Sequence, residues 1–121
     1  MNATAPLPQL SHDQLQAECY QWFRGEFRTQ KRLMHANIGN SKNKVQGNQR
    51  KAIGVVAGVL DLEYFRKGQL YFFDIKVDKD KLSDDQKDFI AKIEAEGAKC
   101  YEIRSLEQFQ TIIREINKCH N

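Results

Sequence analysis

Three serines, each followed three residues later by a glutamine, constrain this chain more than any other feature: Ser11 with Gln14, Ser83 with Gln86, and Ser105 with Gln108. At that spacing the serine side chain accepts from the N3 amide and the glutamine reaches back to the serine amide. Two donors that a helix start leaves unpaired are then both satisfied. Three helix starts are predicted, and apolar residues follow each with helical period. Leu15, Cys19, Trp22 and Phe23 make the first stripe; Phe89, Ile90 and Ile93 make the second, which Gly97 stops. Leu106, Phe109, Ile112, Ile113 and Ile116 make the third.

Between the first two helices, residues 59–65 and 70–77 have strand composition, and Arg66, Lys67 and Gly68 join them closely enough for a hairpin. Residues 99–103 form a further strand. The C-terminal part therefore reads strand, helix, strand, helix, which favours a right-handed crossover onto a parallel neighbour. Residues 33–38 add a short strand, residues 48–53 a short helix, and the polar stretch 39–49 a loop. No internal repeat is present. The expected fold class is α/β, a mixed central sheet flanked by helices. With 121 residues, 40% of them hydrophobic and only 2 Pro, a single domain over 1–121 is expected, residues 1–10 being a flexible N-terminal tail.

Several function classes drop out on composition. No apolar run approaches the roughly 18 residues of a membrane span, and the polar start has neither the basic end nor the apolar stretch of a signal peptide, so a cytoplasmic protein with no membrane partner is expected. Cys19, Cys100 and Cys119 are odd in number and fit no common zinc spacing, which predicts free thiols. Cys119-His120 reads as a terminal tail rather than a zinc half-site, and His12, His35 and His120 are scattered. Trp22 and Tyr64 read as core residues. Gly54 and Gly58 make no phosphate loop, since no Lys follows in the required place, and no organic cofactor is implied. The net charge of +3 hides a gradient: residues 24–66 hold 9 Lys and Arg against 3 Asp and Glu, whereas residues 67–121 hold 10 against 11. Such a basic middle suits a phosphate backbone, although basic loops are also common on ordinary soluble proteins.

Residues two apart on a strand share a face, which sets Phe72, Asp74 and Lys76 together, opposite Tyr71, Phe73, Ile75 and Val77. Asp61 and Glu63 likewise share a face, opposite Leu60, Leu62 and Tyr64. If these faces coincide in the hairpin, Asp61, Asp74 and Lys76 converge. Two close carboxylates stay ionised at neutral pH only if a cation neutralises them, and oxygen ligands select Mg2+ or Mn2+. A lysine beside them holds a water or stabilises a negative transition state. The plainer reading is a solvated sheet edge carrying a weak Asp–Lys pair. Asp interrupting an apolar strand counts against it. On the first helix, Glu18 stands at the edge of the apolar stripe, where a charge is costly without a partner. A metal cluster would supply one, or Glu18 snorkels to water; Glu26, two turns on, is the competing choice.

The segments Gly54-Val-Val-Ala-Gly58-Val-Leu-Asp61, Asp74-Ile-Lys76, Leu82-Ser-Asp-Asp-Gln86, Gly97 and Arg104-Ser-Leu-Glu-Gln-Phe109 resemble, in order and spacing, the VRR-NUC domain, the virus-type replication-repair nuclease branch of the PD-(D/E)xK superfamily. The resemblance spans residues 13–116. It implies a restriction-endonuclease-like core and Mg2+- or Mn2+-dependent cleavage of DNA phosphodiesters. It also implies Asp61 and Asp74 as metal-binding acids, Lys76 as the catalytic lysine and Glu18 as the first-helix acid. The main-chain carbonyl near Ile75 completes the implied ligand set. Two departures stand out: Leu60 where the family usually has Pro, and Asp74 where it usually has Glu. Gln86 matches a Gln near the family's site, although the capping box explains it as well. Asn37 falls where relatives have a polar loop, so it either touches a phosphate or makes a turn. Lys42, Lys44, Arg50 and Lys51 would grip the DNA backbone without reading bases. Stand-alone members resemble junction-resolving nucleases that pair as dimers, which implies branched or four-way DNA as substrate, a homodimer, and a DNA-repair, viral or mobile-element setting in a bacterial or phage-infected cell, at the nucleoid or in the cytoplasm. The alternative from another class is a non-catalytic nucleic-acid-binding module on the same fold.

Overall fold

Two of the three serine–glutamine pairs close as complete capping boxes in the computed structural model, which describes residues 10–37 and 52–118. Ser11 Oγ accepts from the Gln14 amide at 3.2 Å, and Gln14 Oε1 accepts from the Ser11 amide at 2.8 Å, starting α1 (His12–Glu26). Ser83 and Gln86 repeat this at 3.1 and 2.9 Å and start α2 (Asp84–Ala95). The third pair is half a box. Ser105 Oγ accepts from the Gln108 amide at 3.1 Å, but Gln108 Oε1 turns to the Arg104 amide and its Nε2 donates to the Glu102 carbonyl, each at 2.8 Å. Gln108 thereby ties the start of α3 (Leu106–Lys118) to the end of the preceding strand.

Four strands, β1 (Met34–Ala36), β2 (Leu62–Arg66), β3 (Gln69–Ile75) and β4 (Lys99–Ile103), lie side by side in chain order. The first two pairings are antiparallel and β3–β4 is parallel, as expected of a strand, helix, strand unit. Lys67 at φ 50° and Gly68 at φ 82° make the tight β2–β3 turn; positive φ at both central residues is the type I′ geometry that matches strand twist. The expected short strand at 33–38 is β1. The expected helix at 48–53 falls, except for Ala52 and Ile53, outside the described residues.

Helices cover both faces of the sheet. Leu15, Cys19 and Phe23 of α1 and Phe109, Ile113 and Ile116 of α3 pack with Leu62, Tyr64, Tyr71, Phe73 and Ile75 on one face. Edge-to-face ring pairs reinforce it, Phe23 on Tyr64 at 5.2 Å and Phe73 on Phe109 at 5.1 Å. On the other face α2 sets Phe89 edge-on to Phe72 at 5.1 Å. None of its residues is fully buried, so the stripe of Phe89, Ile90 and Ile93 is only half-covered. Because β3 lies between layers, it is buried from Tyr71 to Ile75, and Asp74 is drawn into the interior with its neighbours. Both hairpin strands are shorter than their apolar runs: Asp61 bends just before β2 and Lys76 follows β3. Among the described residues no helix is long and apolar enough to cross a membrane.

Candidate active site

The hairpin register brings the acidic residues together. Leu62 pairs with Phe73 and Glu63 with Phe72, so continuing one residue past the ladder sets Asp61 opposite Asp74. The faces expected to coincide do so. Asp61 is anchored by its surroundings: its Oδ2 accepts from the Ile75 amide at 2.7 Å. Asn37 fixes the same turn from the β1 side, its amide donating to the Asp61 carbonyl at 2.9 Å and its Nδ2 to the Leu60 carbonyl at 3.1 Å. The Asn37 side-chain amide is thus used to hold the turn, while the residue still lines the cleft beside Asp61.

Asp74 is 1% exposed. Its Oδ1 accepts from Gln86 Nε2 at 3.0 Å. Its Oδ2 lies 3.1 Å from Lys76 Nζ, an ion-pair distance, yet that contact is not aligned as a hydrogen bond and no donor among the described residues is directed at this buried oxygen. Burial, followed by the Asp61 charge and a contact with the Asp61 carboxyl, pushes the Asp74 pKa up to about 6, against the opposing pull of Lys76. The carboxylate therefore keeps one hydrogen bond, from Gln86, and an ion-pair contact with Lys76, and burial leaves little solvent to stabilise its charge.

Gln86 plays both roles open to it from the sequence. While its Oε1 closes the capping box, it also accepts from Lys76 Nζ at 3.0 Å, and its Nε2 holds Asp74. One side chain fixes the lysine and the acid to the first turn of α2. Gly58 explains how the loop before Asp61 comes so near: a Cβ there would lie 2.3 Å from the Asp85 carbonyl oxygen, and its φ of +85° suits glycine alone. Loop and helix enclose a polar cleft of about 220 Å³ reached by Asn37, Asp61, Ser83 and Gln86.

The first helix contributes differently from expectation. Glu18 and Glu26 are exposed, and neither has a polar contact with Asp61 or Asp74. At 3.6 residues per turn Glu18 points about 100° from the centre of the buried Leu15, Cys19 and Phe23 stripe, too far to reach the sheet. His12, about 20° from that centre on the same reckoning, instead sets Nε2 3.0 Å from Asp61 Oδ2. Its Nδ1 lies 3.3 Å from Asp13 Oδ1. Burial opposes protonation of His12, but the Asp61 and Asp13 contacts outweigh it and raise its pKa. Although the three histidines are scattered along the sequence, His12 stands three residues before Leu15 and seven before Cys19, and that spacing, which continues the buried stripe, is the signal for its place.

The donors present fit a hard divalent cation. Two facing carboxylates, one with a buried oxygen lacking a hydrogen bond, are sufficient for Mg2+, which commonly keeps waters and substrate phosphate as its other ligands. No group of three His, Cys, Asp or Glu among the described residues already stands arranged as a metal site. Ile75, whose carbonyl the resemblance implied as a ligand, is in place beside Asp61 through its amide. Thiol chemistry is disfavoured at the two described cysteines, since burial pushes Cys19 up to about 12 and Cys100 up to about 11. Lys42, Lys44, Arg50 and Lys51 lie outside the described residues.

Comparison with known proteins yields no match to a family model and no match to a curated protein. Among solved structures, a VRR_NUC domain protein superposes with a TM-score of 0.68 at 20% identity, covering 88% of this chain and 88% of that one. The chain therefore has the fold of a VRR_NUC domain protein, the fold expected from the order of its motifs.

Proposed function

We propose that this chain, built on the fold of a VRR_NUC domain protein, is a metal-dependent deoxyribonuclease that hydrolyses DNA phosphodiester bonds, acting on branched DNA as a homodimer in the cytoplasm or at the nucleoid. The observation that carries this reading is Asp74: a buried carboxylate facing Asp61, with an oxygen that has a lysine beside it and no hydrogen bond. Its nearest cation is Lys76, in ion-pair contact without an aligned hydrogen bond, which leaves a lone pair of this oxygen open to a ligand.

Asp61 and Asp74, with the Ile75 carbonyl, would hold Mg2+ or Mn2+. When bound, the cation neutralises charge on the scissile phosphate and lowers the pKa of a water. The Asp61 side chain is kept in place for this by the Ile75 amide and the Asn37-bound turn. Lys76, 12% exposed and held by Gln86, supplies a fixed positive charge on the phosphate side, where it stabilises the oxyanion character that develops during attack. Gln86 keeps acid and lysine in register with each other. Of the side chains proposed to grip DNA, the basic residues between Asn37 and Ala52 would neutralise backbone phosphates, with selectivity coming from DNA shape.

The test is a cleavage panel of single-stranded, duplex, flapped and four-way DNA with Mg2+, Mn2+ or EDTA. Metal-dependent product, lost in Asp74→Asn and in Lys76→Ala with circular dichroism unchanged, is the expected result. DNA binding without product under any metal would instead establish the non-catalytic binding module.

A further inference from the structure

We infer that His12 is a ligand of the proposed metal site and that it biases the site toward Mn2+ over Mg2+; the inference rests on the nuclease reading above. His12 Nε2 and Asp61 Oδ2 stand 3.0 Å apart. Adjacent ligands of an octahedral ion, each about 2.1 Å from it, are separated by about 3.0 Å. The spacing of the pair thus suits two ligands of one ion as well as it suits a hydrogen bond.

Asp13 on the other ring nitrogen strengthens the case. In the tautomer that donates Nδ1–H to Asp13 Oδ1, 3.3 Å away, the ring presents the Nε2 lone pair to the Asp61 oxygen. Two electron-rich atoms at that distance require a positive centre between them, either a proton or a metal ion. A carboxylate behind an imidazole is also the common way to orient a histidine ligand. The Asp74 carboxyl, in contact with that of Asp61, stands next to the pair, so a cation held by His12 and Asp61 would have a second carboxylate beside it. The His12 side chain is 38% exposed on the first turn of α1, so its ring can close on an ion without disturbing the core.

A nitrogen ligand changes what the site selects. Mg2+ takes oxygen ligands and gives up water reluctantly, whereas imidazole raises affinity for first-row transition ions, of which Mn2+ is the one that also accepts carboxylate and water. The two carboxylates alone would leave Mg2+ and Mn2+ much closer in affinity.

The experiment is pulsed electron paramagnetic resonance on Mn2+ bound to the full chain, with calorimetric titration of Mn2+ and Mg2+, for the wild type, His12→Gln and Asp74→Asn. The expected result is a ¹⁴N coupling to the bound ion that disappears in His12→Gln. Mn2+ affinity should fall at least tenfold in that variant while Mg2+ affinity changes less than threefold. Thermal melts confirm that the variant is folded. Mn2+ binding that depends on Asp74 but shows no ¹⁴N coupling, or a coupling that persists in His12→Gln, overturns the inference and leaves the nuclease reading standing. Absence of any Asp74-dependent Mn2+ binding overturns both.

Discussion

Two buried polar clusters sit on opposite faces of the same sheet, and they are built on opposite terms. On the α1/α3 face, Tyr64 of β2 donates its hydroxyl to Gln30 Oε1, Gln30 Nε2 donates to Asn117 Oδ1 at 2.8 Å, and Asn117 Nδ2 donates back to the Tyr64 oxygen at 3.2 Å and to the Ile113 carbonyl at 2.9 Å. The ring is neutral and closed, and burial pushes the Tyr64 hydroxyl pKa further up, which keeps it a donor. On the α2 face, Asp61, Asp74 and Lys76 are charged and Gln86 bridges the last two; the cluster is open, with one buried carboxylate oxygen in ion-pair contact with Lys76 but without an aligned hydrogen bond. In a low dielectric a closed network strengthens each of its bonds, while an open one leaves a costly group available to a ligand. The first cluster holds α3 against the sheet, while the second leaves a buried carboxylate oxygen short of a hydrogen bond.

If that contrast is right, substitutions in the two clusters should have opposite consequences. The largest effect is expected from Asp74→Asn, which removes a ligand's charge: steady-state cleavage should fall at least about a hundredfold, while the melting temperature of the metal-free protein stays the same or rises, because a buried like-charge contact is gone. A large loss of stability instead would make Asp74 a structural residue. Asn117→Ala should do the reverse. It strands Gln30 and Tyr64 in the core and should cost on the order of 1–3 kcal/mol in urea unfolding, with kcat on saturating DNA nearly unchanged.

Gly58→Ala sharpens the comparison by testing whether the open cluster depends on its loop. Positive φ and the close approach to Asp85 should cost roughly 1–3 kcal/mol. Displacement of Asp61 should lower cleavage as well, an outcome that stability and rate measurements on one preparation would reveal.

The smallest effect is in pH dependence. The folded pKa of Asp74, about 6, exceeds its unfolded value of 3.8, so between those values the folded protein keeps a proton that the unfolded chain has released. Stability from this group is full below about 3.8, is lost as pH rises to about 6, and should be insensitive to pH there in Asp74→Asn. The raised pKa of His12 acts with the same sign in a later window: its contribution is full below 6.5 and is lost as pH rises through the folded value. Adding Mn2+ or Mg2+ at neutral pH should restore stability in the wild type, because the cation takes the place of the proton on Asp74. Denaturant titrations at a series of pH values, with metal and with EDTA, check both windows.

Much of this arrangement was legible because it is local. A serine three residues before a glutamine finds its partners within one helical turn, so α1 and α2 begin where the sequence places them. The hairpin is equally local, and once its turn is set between Arg66 and Gln69, strand alternation puts Asp61 opposite Asp74. Gln108 departs from its box because β4 ends beside it and offers better acceptors and donors, a choice the local sequence does not contain. Glu18 looked eligible because the stripe it borders included Trp22; packing against the sheet centred the stripe on Leu15, Cys19 and Phe23 and turned His12 inward instead.

What the sequence determined by itself was therefore everything set by period and short-range hydrogen bonding: the helix starts, the hairpin, and the shared face of Asp61, Asp74 and Lys76. What the tertiary structure alone decided was how those residues are solvated. Asp74 becomes costly only because two helical layers close over β3; Gln86 becomes a bridge only because the first turn of α2 packs beside the end of β3; and His12 meets Asp61 across 49 residues of chain. Burial and long-range approach depend on how layers pack, and packing is a property of the whole chain rather than of any window within it.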